Sequence, residues 1–254
     1  SGNRPGIQAL IESCAVKAHP EAEDVAFRMA PRLNAAGRIA HAKTAAELLQ
    51  TQDLQTARLT AAVLDRLNIE RRQIERKVFD DILARLKNEP ALMGAFSLVM
   101  EGSDWHPGVI GIVAARLAEH FTRPVVLIVS ESRLGRGSGR SIAGIDLHRI
   151  LSECRQDLEN FGGHRQAAGL TIDRKNINRF RINFDRAVQK TAAPDSFLPT
   201  GRIDCVLAFQ DICEPLLIDL EKLQPFGPEN SEPIFAAKNV RVASSRIVGQ
   251  PIAA

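Results

Sequence analysis

The sequence has few of the residues that several classes of site and structure require. Its 254 residues include no tyrosine, one tryptophan and four cysteines. The cysteines, Cys14, Cys154, Cys205 and Cys213, form no C-x-x-C pair, which argues against a zinc site and a disulfide framework. No apolar run approaches the roughly 18 to 20 residues of a membrane span, and no signal peptide opens the chain. We therefore expect a globular protein of the cytoplasm that makes no membrane contact.

Motifs of common phosphate-processing enzymes are missing as well. A two-metal hydrolase needs several Asp and His ligands around ions about 4 Å apart. The sequence has no Asp-His-His, Asp-x-Asp or His-Glu-x-x-His motif, no G-x-x-x-x-G-K-[ST] phosphate loop and no G-x-S-x-G nucleophile elbow. We therefore predict no metal site within this chain.

Charge and chain ends give two further expectations. The net charge is only +3, so any anion-binding function must come from local clusters of arginine. The chain starts at Ser1 without an initiator methionine and stops within a strand-like pattern, which leads us to expect a piece of a longer protein.

Helical periodicity dominates the sequence up to residue 90. The pattern is helical from Lys43 to Lys87 with a break at 51–53, where Asp53 can cap a new helix. This predicts a charged connecting helix of roughly 50 Å. The preceding segment, 31–38, contains small residues and a glycine, and we predict a loop there.

Strands and helices alternate after residue 90 and predict an α/β layer. We expect strands at 96–100, 125–129 and 170–172 and helices at 108–120, 146–154 and from Ile177 to Val188. Beyond a linker at 191–196, the strand-like segments 202–209, 234–235 and 240–248 and a short helix at 215–224 are too few to close a barrel, so we expect the start of a β domain.

Two glycine-rich segments suggest phosphate binding. The alternating glycines of 135–139, followed by Arg140 and Ser141, predict a loop whose backbone N–H groups and arginines contact an anion. A flexible surface turn is the alternative. The glycines before His164, followed by small residues, predict a helix N-terminus facing a negative ligand, although His164 could also shape the turn by bonding a carbonyl. In a third segment, 104–115, Trp105 could stack on a base or fill the core, and His106 suits a structural role better than a catalytic one.

Five blocks in this order resemble the RecJ family of single-strand-specific exonucleases, within the DHH phosphodiesterase superfamily. The resemblance extends from about residue 4 to residue 249. The blocks are P-R-L-N-A-A-G-R (31–38), D-W-H-P-G-V-I-G-I-V-A (104–114), G-S-G-R-S (137–141), F-G-G-H-x-x-A-A-G (161–169) and L-x-P-F-G-P-x-N-x-E-P-x-F (223–235).

The resemblance implies an α/β fold divided into four parts. Residues 1–42 would be the tail of a DHH domain, 43–90 a connecting helix, 91–192 a DHHA1 domain and 195–254 the truncated start of an OB-fold-like domain. In this family the DHH domain, whose motifs are absent here, binds Mn²⁺ or Mg²⁺, and the other domains hold single-stranded DNA. The implied activity is that of a 5′→3′ exonuclease as the intact protein, with this portion inactive alone.

The same resemblance implies roles for individual residues. The 5′-terminal phosphate would be bound by Arg38, Ser138, Gly139 and Arg140, and a phosphate-binding turn beside the metals would consist of Gly162, Gly163 and His164, with His164 as the catalytic contact. Asn34 and His106 would support the cleft.

Two other functions stay open at this point. The parent protein could cleave short oligonucleotides or cyclic dinucleotides, or the chain could be a non-catalytic module that binds single-stranded nucleic acid. The OB-like segment after residue 195 favours the exonuclease, because small substrates do not need an extended strand-binding domain. Such an enzyme could also meet a single-strand-binding protein or a helicase on the DNA.

Overall fold

The computed structural model describes residues 4–17, 19–130, 132–227 and 229–246. The chain divides into two compact units, Ser1–Pro199 and Thr200–Ala254, which are described separately. Among the described residues, every helix is too short or too polar to cross a membrane.

The first part of the larger unit is helical, as the periodicity predicts. The side chain of Asp53 caps the longest helix by accepting a hydrogen bond from the backbone N–H of Thr56 at 2.7 Å, which confirms the predicted break and its cap. The helices in chain order are α1 (Pro5–Ser13), a π-helical segment (Asp24–Met29), α2 (Ala30–Ile39), α3 (Lys43–Gln50) and α4 (Leu54–Asn88).

The prediction of a loop over 31–38 is wrong, because this segment lies within α2. Ala35 and Ala36 are fully buried, and Ala36 belongs to a core that also includes residues of α1, α3 and α4. The small side chains from which we predicted a loop therefore allow close helix packing here.

Helix α4 contributes to two separate hydrophobic cores. Near its start, Ala57, Ala61 and Leu64 pack with α1, α2 and α3. Near its end, Val78 and Ile82 belong to the core of the α/β layer that follows. Its 35 residues extend about 50 Å, so a single rigid element connects the two cores.

A five-stranded mixed sheet forms the α/β layer, with strand order β1-β2-β3-β5-β4. Strands β1 and β2 are parallel, and the other neighbouring pairs are antiparallel. Helix α6 covers one face of the sheet at β2 and β3, and α7 and α8 pack on the opposite face. The elements are α5 (Pro90–Met93), β1 (Leu98–Gly102), α6 (Pro107–Phe121), β2 (Val125–Val129), β3 (Leu134–Arg140), α7 (Leu147–Glu153), β4 (Asn160–Gly163), β5 (Ala167–Asp173) and α8 (Ile177–Thr191).

The predicted glycine loop at 135–139 is instead β3, in the middle of the sheet. Its backbone lies between β2 and β5 and forms ladders with both, so its N–H groups are not a free phosphate cradle. The glycines provide space for side chains on the α7 face. A Cβ at Gly137 would lie 2.6 Å from Leu170 Cδ1, and a Cβ at Gly139 would lie 3.0 Å from Leu147 Cδ2.

The helix predicted after the paired glycines is also wrong. Gly162 and Gly163 end β4, a short turn follows, and Ala167, Ala168 and Gly169 begin β5. Pairing of β4 with β5 decides the conformation, since small residues have no strong local preference that resists a neighbouring strand.

The smaller unit contains less regular structure than the sequence suggests. The predicted strand 202–209 is reduced to β6 (Cys205–Val206), which pairs in parallel with β7 (Phe235–Ala236) around α9 (Glu214–Glu221). Residues 240–246 form no strand, and 247–248 lie outside the described residues. Isolated two-residue strands bury little apolar surface, and Phe209 and Val242 are accordingly exposed.

The four free thiols should differ sharply in reactivity. Cys14 and Cys154 are buried and Cys205 and Cys213 are exposed. Burial raises the pKa of the Cys14 thiol and raises that of Cys154 to about 12, so little reactive thiolate forms there at pH 8. We expect a thiol reagent to label two cysteines rapidly in the folded chain and all four in denaturant, as measured by mass spectrometry. Rapid labelling of Cys154 in the native chain would contradict this packing.

Candidate functional site

Three residues predicted to bind phosphate lie together beside α6, although they come from distant parts of the sequence. The Nη1 atom of Arg140 donates to Ser138 Oγ at 3.1 Å and to the carbonyl oxygen of Gly139 at 2.7 Å. Arg38, in the last turn of α2, makes a long contact of 3.5 Å from Nη1 to the carbonyl oxygen of Gly108. Arg38, Ser138 and Arg140 are named the cation cluster below.

Two glycines of α6 allow this arrangement. A Cβ at Gly108 would lie 1.9 Å from the carbonyl oxygen of Arg38, so only glycine lets α2 end against α6. A Cβ at Gly111 would lie 2.9 Å from Arg140 Nη2 and 3.0 Å from Ser138 Oγ. The absence of both side chains brings α2, α6 and β3 into contact at one point.

The cation cluster holds positive charge that the neighbouring residues do not neutralise. Burial lowers the pKa of the Arg140 guanidinium, and the charge of Arg38 lowers it further. Arg71 of α4 lies close by: burial lowers its pKa first, Arg38 adds to that effect, and Glu75 opposes it. Because both shifts reflect positive charges held close together and partly out of water, an anion would be stabilised here.

A buried polar cluster in the middle of α4 supports this region. Arg71 donates to Glu75 at 2.7 Å and to Asn68 at 3.2 Å, and Arg116 of α6 donates to the other oxygen of Glu75 at 3.0 Å. These contacts attach α4 to α6 between the two cores. The sequence predicts a charged connecting helix here, and the four-residue spacing of Arg71 and Glu75 is the signal that indicates an ion pair between them.

His164 lies apart from the cation cluster, at the tip of the β4–β5 hairpin. Its backbone N–H donates to the carbonyl oxygen of Ala167 at 2.8 Å, while its side chain is exposed. Ala167 pairs with Arg140 across the ladder, so the backbones of His164 and Arg140 are about two strand spacings, or roughly 10 Å, apart. The Arg140 guanidinium, however, turns toward Ser138 and away from this tip.

A separate open cavity of about 520 Å³ surrounds the hairpin tip. Gly163 lies at its edge with φ of +145°, a conformation that favours glycine, whereas Gly162 lies on the exposed part of β4. The cavity also contains basic side chains near His164, and none of its residues belongs to the cation cluster. Its lining is Asp146, His148, Arg149, Gly163, His164, Arg165 and Gln166.

The other candidates have positions that define their roles more narrowly. Asn34 is exposed on α2, one turn before Arg38 and on the same face. His106 caps α6, since its Nδ1 accepts a hydrogen bond from the N–H of Gly108 at 3.1 Å. Trp105 is buried, and its Nε1 donates to Asp81 at 2.9 Å, so it fills the core and does not offer a face for base stacking.

No group of three or more His, Cys, Asp or Glu side chains in the described part of the chain could hold a metal ion. The donors near the cation cluster are arginines and a serine, which suit an anion and not a divalent cation. Mn²⁺ or Mg²⁺ therefore does not fit the donors among the described residues.

Comparison with known proteins identifies two domains and several relatives. The DHHA1 domain model matches residues 93–190, and the RecJ OB domain model matches residues 203–252. The single-stranded-DNA-specific exonuclease RecJ of Bacillus subtilis is 34% identical over 250 residues, which cover 97% of this chain and 32% of that protein.

Solved structures agree with the sequence relatives. Crystal structures of RecJ from Thermus thermophilus in complex with Mn²⁺ and with Mg²⁺ match with TM-scores of 0.82 and 0.78 at 31% and 30% identity. The matches cover 92% and 91% of this chain, and 34% and 35% of the solved chains. The chain thus spans about a third of the length of these relatives.

Replacing Arg38 by glutamine should relieve repulsion within the unliganded cation cluster. We expect a higher free energy of unfolding at low ionic strength, by at most about 1 kcal/mol, because the change removes a like charge near Arg140 and Arg71. The gain should shrink in 0.5 M salt, measured by urea unfolding. The control is Arg186→Gln, an exposed arginine on α8, and a clear loss of stability for Arg38→Gln alone would contradict the electrostatic description.

Proposed function

Because the chain belongs to the RecJ family by its DHHA1 and RecJ OB domains, we propose that it is the substrate-binding portion of a 5′→3′ exonuclease specific for single-stranded DNA. The observation that carries this proposal is the meeting of Arg38, Ser138 and Arg140 at one point with surplus positive charge. The 5′-terminal phosphate of the DNA is the anion that the cation cluster binds.

The chemistry of a strand end explains why such a cluster is useful. A terminal phosphate monoester carries more negative charge than the diesters inside the strand, so paired guanidinium groups favour the end over the middle. Arg38 and Arg140 supply planar donors, and the Ser138 hydroxyl adds a neutral one. A binding site of this type recognises the 5′-terminal phosphate of a strand. An enzyme that works from the 5′ end requires such recognition.

The remaining candidates have subordinate roles in the proposal. His164, with Gly162 and Gly163, contacts a second phosphate at the hairpin tip, where basic side chains gather. Gly139 acts through packing: its missing side chain leaves room for Leu147 and holds β3 in place. His106 and Asn34 shape the approach to the cation cluster.

Hydrolysis itself is assigned to residues outside those described here. A divalent ion of the kind bound in the longer relatives would supply positive charge for the reacting phosphate and an activated water. This chain's own residues hold and orient the strand. We place this function in the cytoplasm, in accord with four free thiols, and regard a single-strand-binding protein or a helicase as partners that could share the strand.

Substitution of Arg140 by alanine should weaken binding of 5′-phosphorylated single-stranded DNA to the full 254-residue chain. Each phosphate neutralised by a cation contributes about 0.7 to the salt dependence of binding to single strands, so we expect the slope to fall by about that amount. The measurement is fluorescence anisotropy with a labelled oligonucleotide at several salt concentrations, in EDTA.

The same titration with DNA that lacks the 5′-phosphate separates end recognition from general attraction. The Arg140→Ala change should matter much less on that ligand, and Arg186→Ala should matter on neither. Equal losses with and without the 5′-phosphate would exclude the cation cluster as a terminal-phosphate site.

A further inference from the structure

Glu75 is a buried carboxylate that two arginines share. Its Oε2 atom accepts a hydrogen bond from Arg71 Nη1 at 2.7 Å, and its Oε1 atom accepts one from Arg116 Nη1 at 3.0 Å. Arg71 lies on α4, as Glu75 does, whereas Arg116 lies on α6. Two cations and one anion leave this group with surplus positive charge, although Arg71 and Glu75 are both buried. Arg71, Glu75 and Arg116 are named the Glu75 triad below.

The Glu75 triad lies next to the cation cluster. Burial lowers the pKa of the Arg71 guanidinium, and the charge of Arg38 lowers it further, so these two cations lie close together. The packing of α2 against α4 accounts for this. Arg32 of α2 donates to Asp65 of α4 at 2.7 Å, which shows that a carboxylate of α4 can pair with an arginine of α2. Arg38 and Arg71 each follow that pair by six residues on their own helices.

Stability alone does not explain an arginine at position 71. The Nε atom of Arg71 is buried and has no hydrogen-bond partner in the part of the chain that the structure describes. A buried donor without an acceptor destabilises a fold, and a buried ion pair often stabilises no more than apolar side chains of similar volume. An apolar side chain of similar length would avoid the unpaired donor. The positive charge of Arg71 therefore indicates a role besides packing.

A carboxylate beside the cation cluster would compete with a bound anion. Arg38 and Arg140 donate to a hydroxyl and to carbonyl oxygens, and no carboxylate among the described residues pairs with either of them. Their charges are therefore available to a ligand. Glu75 would change this if one of its arginines were lost, because its freed oxygen would lie near Arg38 and neutralise part of the positive charge there.

We propose that Arg71 is a positioning residue for the terminal-phosphate site: together with Arg116 it holds Glu75 away from Arg38, so that the cation cluster keeps its charge for the 5′-phosphate. Arg71 does this without contact with the phosphate. This inference rests on the proposed function, and it adds the residues that keep the site free of a competing carboxylate from the chain itself.

The test measures binding of 5′-phosphorylated single-stranded DNA to the full chain in EDTA, by fluorescence anisotropy. Arg71→Met frees one oxygen of Glu75, and we expect binding to weaken by about tenfold, which is within the usual range of coupling between sites. DNA without the 5′-phosphate should show a much smaller change. Arg71→Met combined with Glu75→Gln should recover most of the affinity, because the competing carboxylate is gone. A purely structural role predicts no recovery, since the double variant lacks one more native contact.

Arg116→Met provides an independent route to the same result. The Arg116 side chain is about half exposed, so its loss disturbs the packing less than the loss of Arg71. Arg116→Met should also weaken binding of the phosphorylated strand, and Glu75→Gln should again restore it. If Arg71→Met does not fold, as judged by its melting temperature, the comparison of Arg116→Met with its double variant decides the question.

The ion pair of Arg76 with Asp80 provides a matched control on the same helix. It has the same four-residue spacing as Arg71 and Glu75, but both of its side chains are exposed. Arg76→Met, alone or combined with Asp80→Asn, should bind the phosphorylated strand about as tightly as the unmodified chain does. A loss with Arg76→Met equal to the loss with Arg71→Met would mean that any arginine of α4 matters, which contradicts a specific role for Arg71.

The outcomes separate this inference from the proposed function. If the unmodified chain prefers 5′-phosphorylated DNA, but Arg71→Met and Arg116→Met bind it normally or Glu75→Gln does not restore their binding, the role of the Glu75 triad is wrong and the proposed function stands. If the unmodified chain binds phosphorylated and unphosphorylated DNA equally, the proposed function fails, and this inference fails with it.

Discussion

The structure depends on one helix that belongs to two hydrophobic cores. The first half of α4 packs with the N-terminal helices through Ala57 and Leu64, and its second half packs under the sheet through Val78 and Ile82. Since α4 is continuous, it constrains the position of one core relative to the other. Their fixed relation puts the last turn of α2 against the first turn of α6, and it is this contact that brings Arg38 to Arg140. The buried polar contacts between α4 and α6 lie at the junction of the two cores, where they resist sliding of one against the other.

Glycines act in this protein chiefly by allowing close approach. Gly108 and Gly111 let α6 lie against α2 and against the side chains of β3. The alternate glycines of β3 let Leu147 and Leu170 fill the opposite face. A segment that resembles a flexible phosphate loop is therefore a central strand, and the groups proposed to bind an anion are side chains on one face instead of backbone N–H groups. A strand holds these groups at regular intervals, which suits a ligand that is itself a regular polymer.

The cation cluster and the hairpin tip are two separate places on this chain where basic side chains gather. The two positions are about 10 Å apart through the ladder, and each carries basic side chains. The described residues offer no place for a divalent metal, and the relatives that contain metals are about three times as long. Under the proposed function this chain holds the strand, and hydrolysis requires metal-binding residues that the described part of the chain does not supply.

The sequence by itself determined the local elements whose signals are local: the periodic helices α4 and α8, the cap at Asp53, the apolar strand β2 and the resemblance carried by five blocks in order. It also placed Arg38, Ser138 and Arg140 in one hypothesis, though only through that resemblance. Tertiary structure decided the secondary structure of the segments rich in glycine and alanine, because these residues have weak conformational preferences. Segment 31–38 forms a helix, and 135–139 and 167–169 form strands. Tertiary structure alone also decided that His164 lies away from the guanidinium of Arg140 and that Arg116 pairs with Glu75, since those distances depend on strand pairing and helix packing between residues far apart in the chain.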